Sequence, residues 1–128
     1  MEGSKKTSVF VVDDDKVTKE ILISMLRNEG YLVVGEASNG VQAVKHYAEL
    51  QPDIVLLDMT MPKMDGLHAL EEIRKINPSA FVLLISAHFT AEKITEAIQK
   101  GAAGFVAKPF KTADVLEKIS KSWKARKK

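Results

Sequence analysis

Apolar residues along the chain follow two patterns that alternate. Short uninterrupted apolar runs, of the length of β-strands, are separated by longer segments in which apolar residues recur every three or four positions, as on one face of a helix. The runs fall at residues 9–12, 32–34, 54–57, 81–85 and 105–107. A helical segment follows each run, so the pattern predicts five strands and five helices in strict alternation.

Glycine and proline bound the helical segments. Gly30 and Gly101 follow the first and fourth segments, whereas Pro52 and Pro78 follow the second and third, as expected of residues that end helices. The first segment covers residues 16–29 and the last covers 112–125. The apolar positions that mark the five helices are Val17, Ile21 and Met25; Val41, Val44 and Ala48; Leu67, Leu70, Ile73 and Ile76; Ile94 and Ile98; and Val115, Leu116, Ile119 and Trp123.

The alternation also predicts how these elements pack. Strands separated by helices form a parallel sheet with right-handed crossovers and helices on both faces, which is an α/β doubly wound fold. The runs at 54–57 and 82–85 contain no polar residue, as expected of strands buried on both sides. Nothing divides the chain, so we expect a single domain over residues 1–128, with a core at about 8–124, a flexible N-terminus at 1–7 and a basic C-terminal tail.

Composition narrows the class of protein. With 45% apolar and 28% charged residues among 128, the chain is typical of globular domains. It contains no cysteine, which excludes disulfides and cysteine-ligated zinc. No secretory signal is present, and no apolar run approaches the ~18 residues of a membrane span. We therefore expect a cytoplasmic protein with no membrane partner.

The basic C-terminus has two interpretations. Six cations lie between Lys118 and Lys128, and a nucleic-acid tail is one possibility. However, cations are also favourable at the end of a helix, and the same segment carries an apolar face. The net charge of the chain is only +2. We favour the second interpretation and expect no direct contact with nucleic acid.

Reactive side chains gather where the predicted strands end. In open parallel sheets, ligands bind at the carboxyl ends of the strands. The residues that follow the first, third, fourth and fifth strands are Asp13, Asp14 and Asp15; Asp58; Ser86; and Lys108. Several acids, a hydroxyl and an ammonium group should therefore meet at one edge of the sheet.

This combination indicates phosphoryl chemistry with a metal ion. Two carboxylates about 4 Å apart repel by about 4 kcal/mol at an effective dielectric near 20, so a fold that gathers several needs a cation. Oxygen ligands favour a hard ion, and Mg²⁺ binds a few carboxylates together with phosphate. Asp15 can instead cap the first helix. Asp58 is the candidate nucleophile for an aspartyl phosphate, although it could be a metal ligand only.

Five motifs strengthen this interpretation. They are Val11-Val12-Asp13-Asp14-Asp15, Leu56-Leu57-Asp58-Met59-Thr60-Met61-Pro62, Met64-Asp65-Gly66, Ser86-Ala87 and Val106-Ala107-Lys108-Pro109-Phe110. With these motifs the chain resembles the response-regulator receiver domain of the CheY type from about Ser8 to its last helix. The resemblance implies a flavodoxin-like sheet with strand order 2-1-3-4-5 in three α/β/α layers.

The resemblance also implies a role for each site residue. Asp58 would be the phosphoacceptor, and Asp14, Asp58 and the backbone carbonyl of Thr60 would bind Mg²⁺ directly, with Asp13 acting through a water. Ser86 and Lys108 would contact phosphoryl oxygens. The donor would be a phosphohistidine on a sensor histidine kinase, or a small molecule such as acetyl phosphate. The chain would catalyse only its own phosphorylation and dephosphorylation.

A conformational switch follows from the same resemblance. The phosphoryl group would draw Ser86 and Lys108 toward it, the loop after the fourth strand would move, and Phe105 would rotate inward. The Lys108–Pro109 bond would be cis, and Pro109 would be part of the switch. A downstream protein would then bind the fourth helix, fifth strand and fifth helix. Family members more often carry Thr and Tyr where this chain has Ser86 and Phe105.

Five further positions carry smaller expectations. Thr60 and His88 occupy places that tune dephosphorylation in the family, although His88 is equally explained as an exposed loop residue. His46 and His68 lack the spacing of metal ligands and are expected on the surface. Trp123 should pack the last helix far from Asp58.

Four alternatives remain open. A phosphatase of the haloacid dehalogenase class also uses an aspartate nucleophile with Mg²⁺, but Thr60 stands where its second aspartate would be. A receiver fold could also act without phosphorylation, but such proteins usually lose the acids. Within the family we favour a stand-alone chemotaxis regulator, ahead of a phosphorelay intermediate or a receiver excised from a larger regulator.

Overall fold

The structure is a computed structural model, and it describes residues 6–61 and 63–126. The expectations for the N-terminal residues 1–5 and for the last two lysines of the basic tail lie outside the described residues. The elements are β1 (Ser8–Val12), α1 (Lys16–Asn28), β2 (Leu32–Ala37), α2 (Gly40–Leu50), β3 (Ile54–Asp58), α3 (Gly66–Ile76), β4 (Val82–Ser86), α4 (Ala91–Gln99), β5 (Gly104–Ala107) and α5 (Thr112–Ala125). The predicted alternation of strands and helices is confirmed.

All neighbouring strands are parallel, and their order is β2-β1-β3-β4-β5, as predicted. The strands β1 and β3 lie inside the sheet, whereas β2 and β5 form its edges. Along the carboxyl ends, Val12 pairs with Ala37 and Leu57, and Asp58 pairs with Ile85. The strands therefore end nearly level, so that the residues after them meet.

The core has two parts, one on each face of the sheet. Alternate residues of the inner strands point to opposite faces, so that Phe10 and Val12 join one cluster whereas Val9 and Val11 join the other. The first cluster includes buried residues of α2, α3 and α4, and the second includes buried residues of α1 and α5. The fold is thus a three-layer α/β/α structure.

The helices were predicted in the right places, but several of the apolar residues that marked them are not in the core. In α1, Val17 is 60% and Ile21 45% exposed, and the apolar residues that are buried are Leu22, Met25 and Leu26. Val41 and Ile98 are likewise exposed. A helix buries only one of its faces, but apolar residues spaced i, i+4 can lie on more than one face. The spacing alone therefore did not identify the buried face.

The strand β2 is longer than its apolar run. It continues through Gly35 and Glu36 to Ala37, so the predicted range of 32–34 was too short. Because β2 is an edge strand, a polar side chain can be accommodated there, and Glu36 lies 3.2 Å from the Lys19 ammonium of α1. No helix among the described residues has both the length and the apolar character needed to cross a bilayer.

Candidate functional site

Four strands deliver the candidate residues to one edge of the sheet. Asp13 directly follows β1, Asp58 ends β3, Ser86 ends β4 and Lys108 directly follows β5. Backbone hydrogen bonds continue the ladders past these strand ends, because the Asp13 amide donates to Ala37 and the Lys108 amide donates to Ser86. Each side chain is therefore fixed by the sheet itself rather than by a free loop.

Three carboxylates form a tight cluster at this edge. Asp13, Asp14 and Asp58 each place one carboxylate oxygen so that all three lie within 4.8 Å of one another. Asp13 and Asp58 are buried, at 0% and 3% exposure, whereas Asp14 faces solvent. Asp15 does not join them: it caps α1, accepting a hydrogen bond from the Thr18 amide at 3.1 Å.

Lys108 is the counter-charge of this cluster. Its Nζ lies 2.9 Å from Asp13 Oδ2 and 3.6 Å from Asp58 Oδ2. Partial burial lowers the pKa of the Lys108 ammonium, but the hydrogen bonds and charges of the two aspartates outweigh that effect and raise the pKa above its usual value. The ammonium group therefore stays protonated at neutral pH.

One ammonium does not balance three carboxylates. The pKa of Asp58 is raised to about 6: burial is the main cause and the charges of Asp13 and Asp14 add to it, while the hydrogen bond from the Thr60 amide (3.2 Å from Oδ1) and the charge of Lys108 act in the opposite direction. Such a set of oxygen donors, open to solvent on the side of Asp14, fits a hard divalent cation that keeps some of its waters. A cation at this place would remove the repulsion.

Ser86 ends β4, the strand next to the one that ends in Asp58, and Phe105 lies on β5 opposite Leu84. The Ser86 hydroxyl is buried and bonds to the backbone of His88 twice, accepting from its amide at 3.0 Å and donating to its carbonyl at 3.2 Å. The half-buried Phe105 ring packs on Phe89, with 4.8 Å between centroids. The Lys108–Pro109 bond is cis, as the resemblance implied.

The histidines and the tryptophan lie where we expected them. The side chains of His46 and His68 are substantially exposed on α2 and α3, and His88 is exposed in the loop after β4. Trp123 packs edge-on against Phe81, at the opposite end of β4 from Ser86.

The close packing of two glycines beside the site was not predicted from the sequence, although one of them lies in a quoted motif. A β-carbon on Gly66 would lie 2.5 Å from both the Asp58 carbonyl oxygen and the Met59 Cα, and one on Gly40 would lie 2.2 Å from the Met64 carbonyl oxygen. The backbone at Gly66 therefore packs directly against Asp58, and Met64 packs directly against Gly40 at the start of α2. Gly66 belongs to the Met64-Asp65-Gly66 motif, which was the available signal.

Lys19 was also missed. It is 8% exposed, and its ammonium group lies 2.6 Å from the Ser38 hydroxyl and 3.2 Å from Glu36. It ties α1 to the carboxyl end of β2. The surrounding sequence gave no sign of this, because a lysine one turn into an amphipathic helix is usually solvated.

Fold and site together define a class of protein. The family profile described as the response regulator receiver domain matches residues 9–120, and the chain belongs to this family. It is a response regulator receiver, and this membership supports the receiver over the phosphatase alternative.

Among individual proteins, the chain is similar to chemotaxis regulators named CheY. It is 43% identical to the CheY of Thermotoga maritima, over 88% of this chain and 94% of that protein, and 42% identical to the CheY of Bacillus subtilis, over 89% and 95%. It superimposes on a chain of the CheX–CheY–BeF₃–Mg²⁺ complex from Borrelia burgdorferi with a TM-score of 0.88 and 35% identity, covering 90% of this chain and 87% of that one.

Proposed function

We propose that this receiver accepts a phosphoryl group on Asp58 from the phosphohistidine of a sensor histidine kinase, in a Mg²⁺-dependent reaction, and then binds a downstream protein. One observation carries the proposal: the buried Asp58 carboxylate lies within 4.8 Å of two more carboxylates and 3.6 Å from a lysine ammonium. Carboxylates that gather a cation, beside a fixed cationic donor, are the parts of a phosphoryl-transfer site.

The reaction is a displacement at phosphorus. An oxygen of the Asp58 carboxylate forms the new bond to phosphorus, the bond from phosphorus to the histidine nitrogen breaks, and the electron pair leaves with the imidazole. Asp13, Asp14, Asp58 and the Thr60 carbonyl would hold Mg²⁺, which supplies charge neutralisation for the phosphoryl oxygens. Lys108 lies close enough to Asp58 to pair with one of these oxygens, and Ser86 would donate to another.

The output would follow from the new charge. A phosphoryl group adds about two negative charges and several acceptor oxygens, which attract the Ser86 hydroxyl and Lys108. We propose that Ser86, Phe105 and Pro109 transmit this change to the surface formed by α4, β5 and α5, where a protein partner binds. The residues of about 8–124 would act as one domain, in the cytoplasm where the kinase makes its phosphohistidine.

Intact-mass spectrometry with acetyl phosphate and Mg²⁺ tests the proposal. Wild type should gain the mass of one phosphoryl group, reversibly and only with the metal, and Asp58→Asn should not. Asp15→Asn is the matched control, because Asp15 caps α1 outside the cluster and asparagine caps equally well. An adduct that survives in Asp58→Asn at full yield, or turnover of phosphate esters beyond one equivalent, would contradict the proposal.

The likeness to CheY proteins favours a stand-alone chemotaxis-type regulator over the alternatives of a phosphorelay intermediate or an excised receiver. A relay intermediate would pass its phosphoryl group on to a histidine of a second protein. A transfer assay distinguishes a relay intermediate from a stand-alone regulator. The radiolabelled phosphoprotein is incubated with candidate phosphotransfer domains and with partners captured by the beryllofluoride form. Transfer of the label would indicate a relay, and binding without transfer would indicate a stand-alone regulator.

A further inference from the structure

We propose that a cavity at the amino ends of β4 and β5 binds a phosphate group, either as inorganic phosphate or as part of a small organic ester. The cavity has a volume of about 630 Å³ and is lined by residues from the last turns of α3 and α5 and from the segments that lead into β4 and β5. It lies at the opposite end of β4 from Ser86, so the inference does not depend on the function proposed for the acidic cluster.

The cavity carries positive charge without a counter-charge. Both Arg74 and Arg126 line it, and none of the described residues that line it is acidic. Within residues 6–61 and 63–126, no carboxylate lies within ion-pair distance of either guanidinium group. Guanidinium groups stay protonated in proteins, and two of them that share one cavity repel each other. An anion bound to both removes this repulsion, so the cavity favours an anionic ligand.

Arg74 is positioned by one hydrogen bond and by a glycine. Its Nη1 donates to the Ala80 carbonyl at 3.1 Å. A β-carbon on Gly101 would lie 2.5 Å from Nε and 2.8 Å from Cζ of Arg74, so the guanidinium packs directly against the Gly101 backbone. Arginine has five N–H donors, and the bond to Ala80 uses one of them. The group is therefore fixed beside the cavity with donors left for a ligand.

Arg126 is positioned by aromatic rings. Its guanidinium carbon lies 3.3 Å from the centroid of the Trp123 ring, which is a cation–π contact. Trp123 packs edge-on against Phe81, with 5.1 Å between centroids, and Phe81 also lines the cavity. The contact with a ring holds the guanidinium without using a hydrogen-bond acceptor, so its N–H groups can donate to a ligand.

A phosphate group fits this set of donors. The planar fork of an arginine pairs with two phosphate oxygens at once, and the hydroxyls of Ser79 and Ser122, which also line the cavity, supply further donors. The volume is typical of pockets for organic ligands. Phe81 and three alanines complete the lining, so the organic part of a phosphate ester would have apolar groups to contact.

A simpler explanation of the two arginines is the stabilisation of helix ends. Cations are favourable at helix C-termini, and Arg74 lies in the last turn of α3 while Arg126 directly follows α5. Arg27 occupies the same kind of position in the last turn of α1, but it does not line the cavity. Arg27→Gln is therefore the matched control, because it removes the same charge from a helix end and leaves the cavity intact.

An NMR titration of the metal-free protein with sodium phosphate, in EDTA and at constant ionic strength, tests the proposal. The amide resonances of Ser79 and Gly101 should shift and saturate in wild type. Arg74→Gln and Arg126→Gln should each weaken the affinity by about tenfold or more, because each loses hydrogen bonds between charged groups. Arg27→Gln should stay within about twofold of wild type, because distant sites act independently.

Phenyl phosphate separates the two sources of the phosphate group. Tighter binding than inorganic phosphate would assign the cavity to an organic ester, and equal or weaker binding would assign it to inorganic phosphate. Wild-type shifts that fail to saturate, or an equal loss of affinity in Arg27→Gln, would overturn the proposal. Arg126 is exposed, so Arg126→Gln should fold and decides the matter even if Arg74→Gln does not fold.

Discussion

At the scale of single residues, the site combines acids that repel one another. Asp58 is the clearest case, because burial and the neighbouring carboxylates raise its pKa to about 6. In the unfolded chain this carboxyl titrates near 4. Above pH 6 the folded protein must therefore hold a charge that the unfolded chain solvates more easily. The charged Asp58 carboxylate therefore destabilises the folded protein at the position where the proposed chemistry needs it.

We predict that Asp58→Asn stabilises the metal-free protein in a pH-dependent way. The raised pKa of Asp58 means that its contribution to stability is fully present below pH 4 and is lost as the pH rises through 6. Relative to wild type, the variant should gain roughly 1–3 kcal/mol at pH 7.5 and far less at pH 4. Urea unfolding in EDTA measures the difference.

Mg²⁺ provides the control for that experiment. A cation that binds the cluster stabilises wild type by mass action and should narrow the gap at pH 7.5. A gain of equal size at both pH values would show that packing rather than charge is responsible.

The residue scale is also where sequence reasoning was least complete. The acids, Ser86 and Lys108 could be named because each follows a strand and because the family motifs mark them. The burial of Lys19 and the packing of Phe89 on Phe105 could not be found in this way. Their surroundings depend on which helix face turns inward and on how the loop after β4 folds, and neither is encoded in the spacing of residues along the chain.

At the scale of elements, the loop between β3 and α3 shows how closely the structure surrounds Asp58. The Gly66 amide donates to the Met59 carbonyl at 2.9 Å, and a side chain on Gly66 would collide with the backbone of Asp58 and Met59. The absence of a side chain at Gly66 therefore sets how near α3 can begin to the phosphoacceptor candidate.

We predict that Gly66→Ala both destabilises the fold and slows phosphorylation by acetyl phosphate. Overpacking of this kind costs about 1–3 kcal/mol, and the backbone that must shift carries Asp58. Intact-mass kinetics and urea unfolding measure the two effects. Gly30→Ala is the control: Gly30 has a φ of 88° but no atom within 4 Å of a new β-carbon. It should lose about 1 kcal/mol of stability through backbone strain alone and keep the wild-type rate. Equal rates in both glycine variants would contradict this account.

Element boundaries illustrate what the apolar pattern can and cannot predict. The last helix was predicted at 112–125, and α5 spans Thr112–Ala125, because its apolar face and flanking residues agree. The strand β2 was predicted three residues too short, because Gly35 and Glu36 interrupt its apolar run. An edge strand is held by one neighbour and tolerates a charge, so its end is fixed by backbone pairing with β1 rather than by hydrophobicity.

At the scale of the whole molecule, the two ends of the sheet differ in chemistry. The carboxyl ends of the strands carry the acids and Lys108, whereas Trp123 and Phe81 lie at the amino end of β4. The alternation of elements predicted the parallel sheet and hence this polarity. The strand order came from the family resemblance alone, because periodicity does not say which strands are neighbours.

We predict that Trp123 fluorescence responds little to Mg²⁺ even when the metal binds. Its ring contacts Phe81 and Arg126, with the Arg126 guanidinium 3.3 Å from the ring centroid, and neither of these residues belongs to the site. A fluorescence titration should therefore stay nearly flat while the melting temperature rises with Mg²⁺. A large saturable quench that tracks the rise in melting temperature would show that the two ends communicate.

The order of the strands has a consequence for how the molecule fluctuates. The strands β1 and β3, which lead into the acids, are each flanked by two others, whereas β5 is paired on one side only. Opening of an edge strand costs fewer backbone bonds than opening of an inner one. The edge that carries Phe105 and leads into Lys108 can therefore open while the strands that lead into Asp13 and Asp58 stay paired, so the proposed partner-binding surface can change while the carboxylates keep their positions.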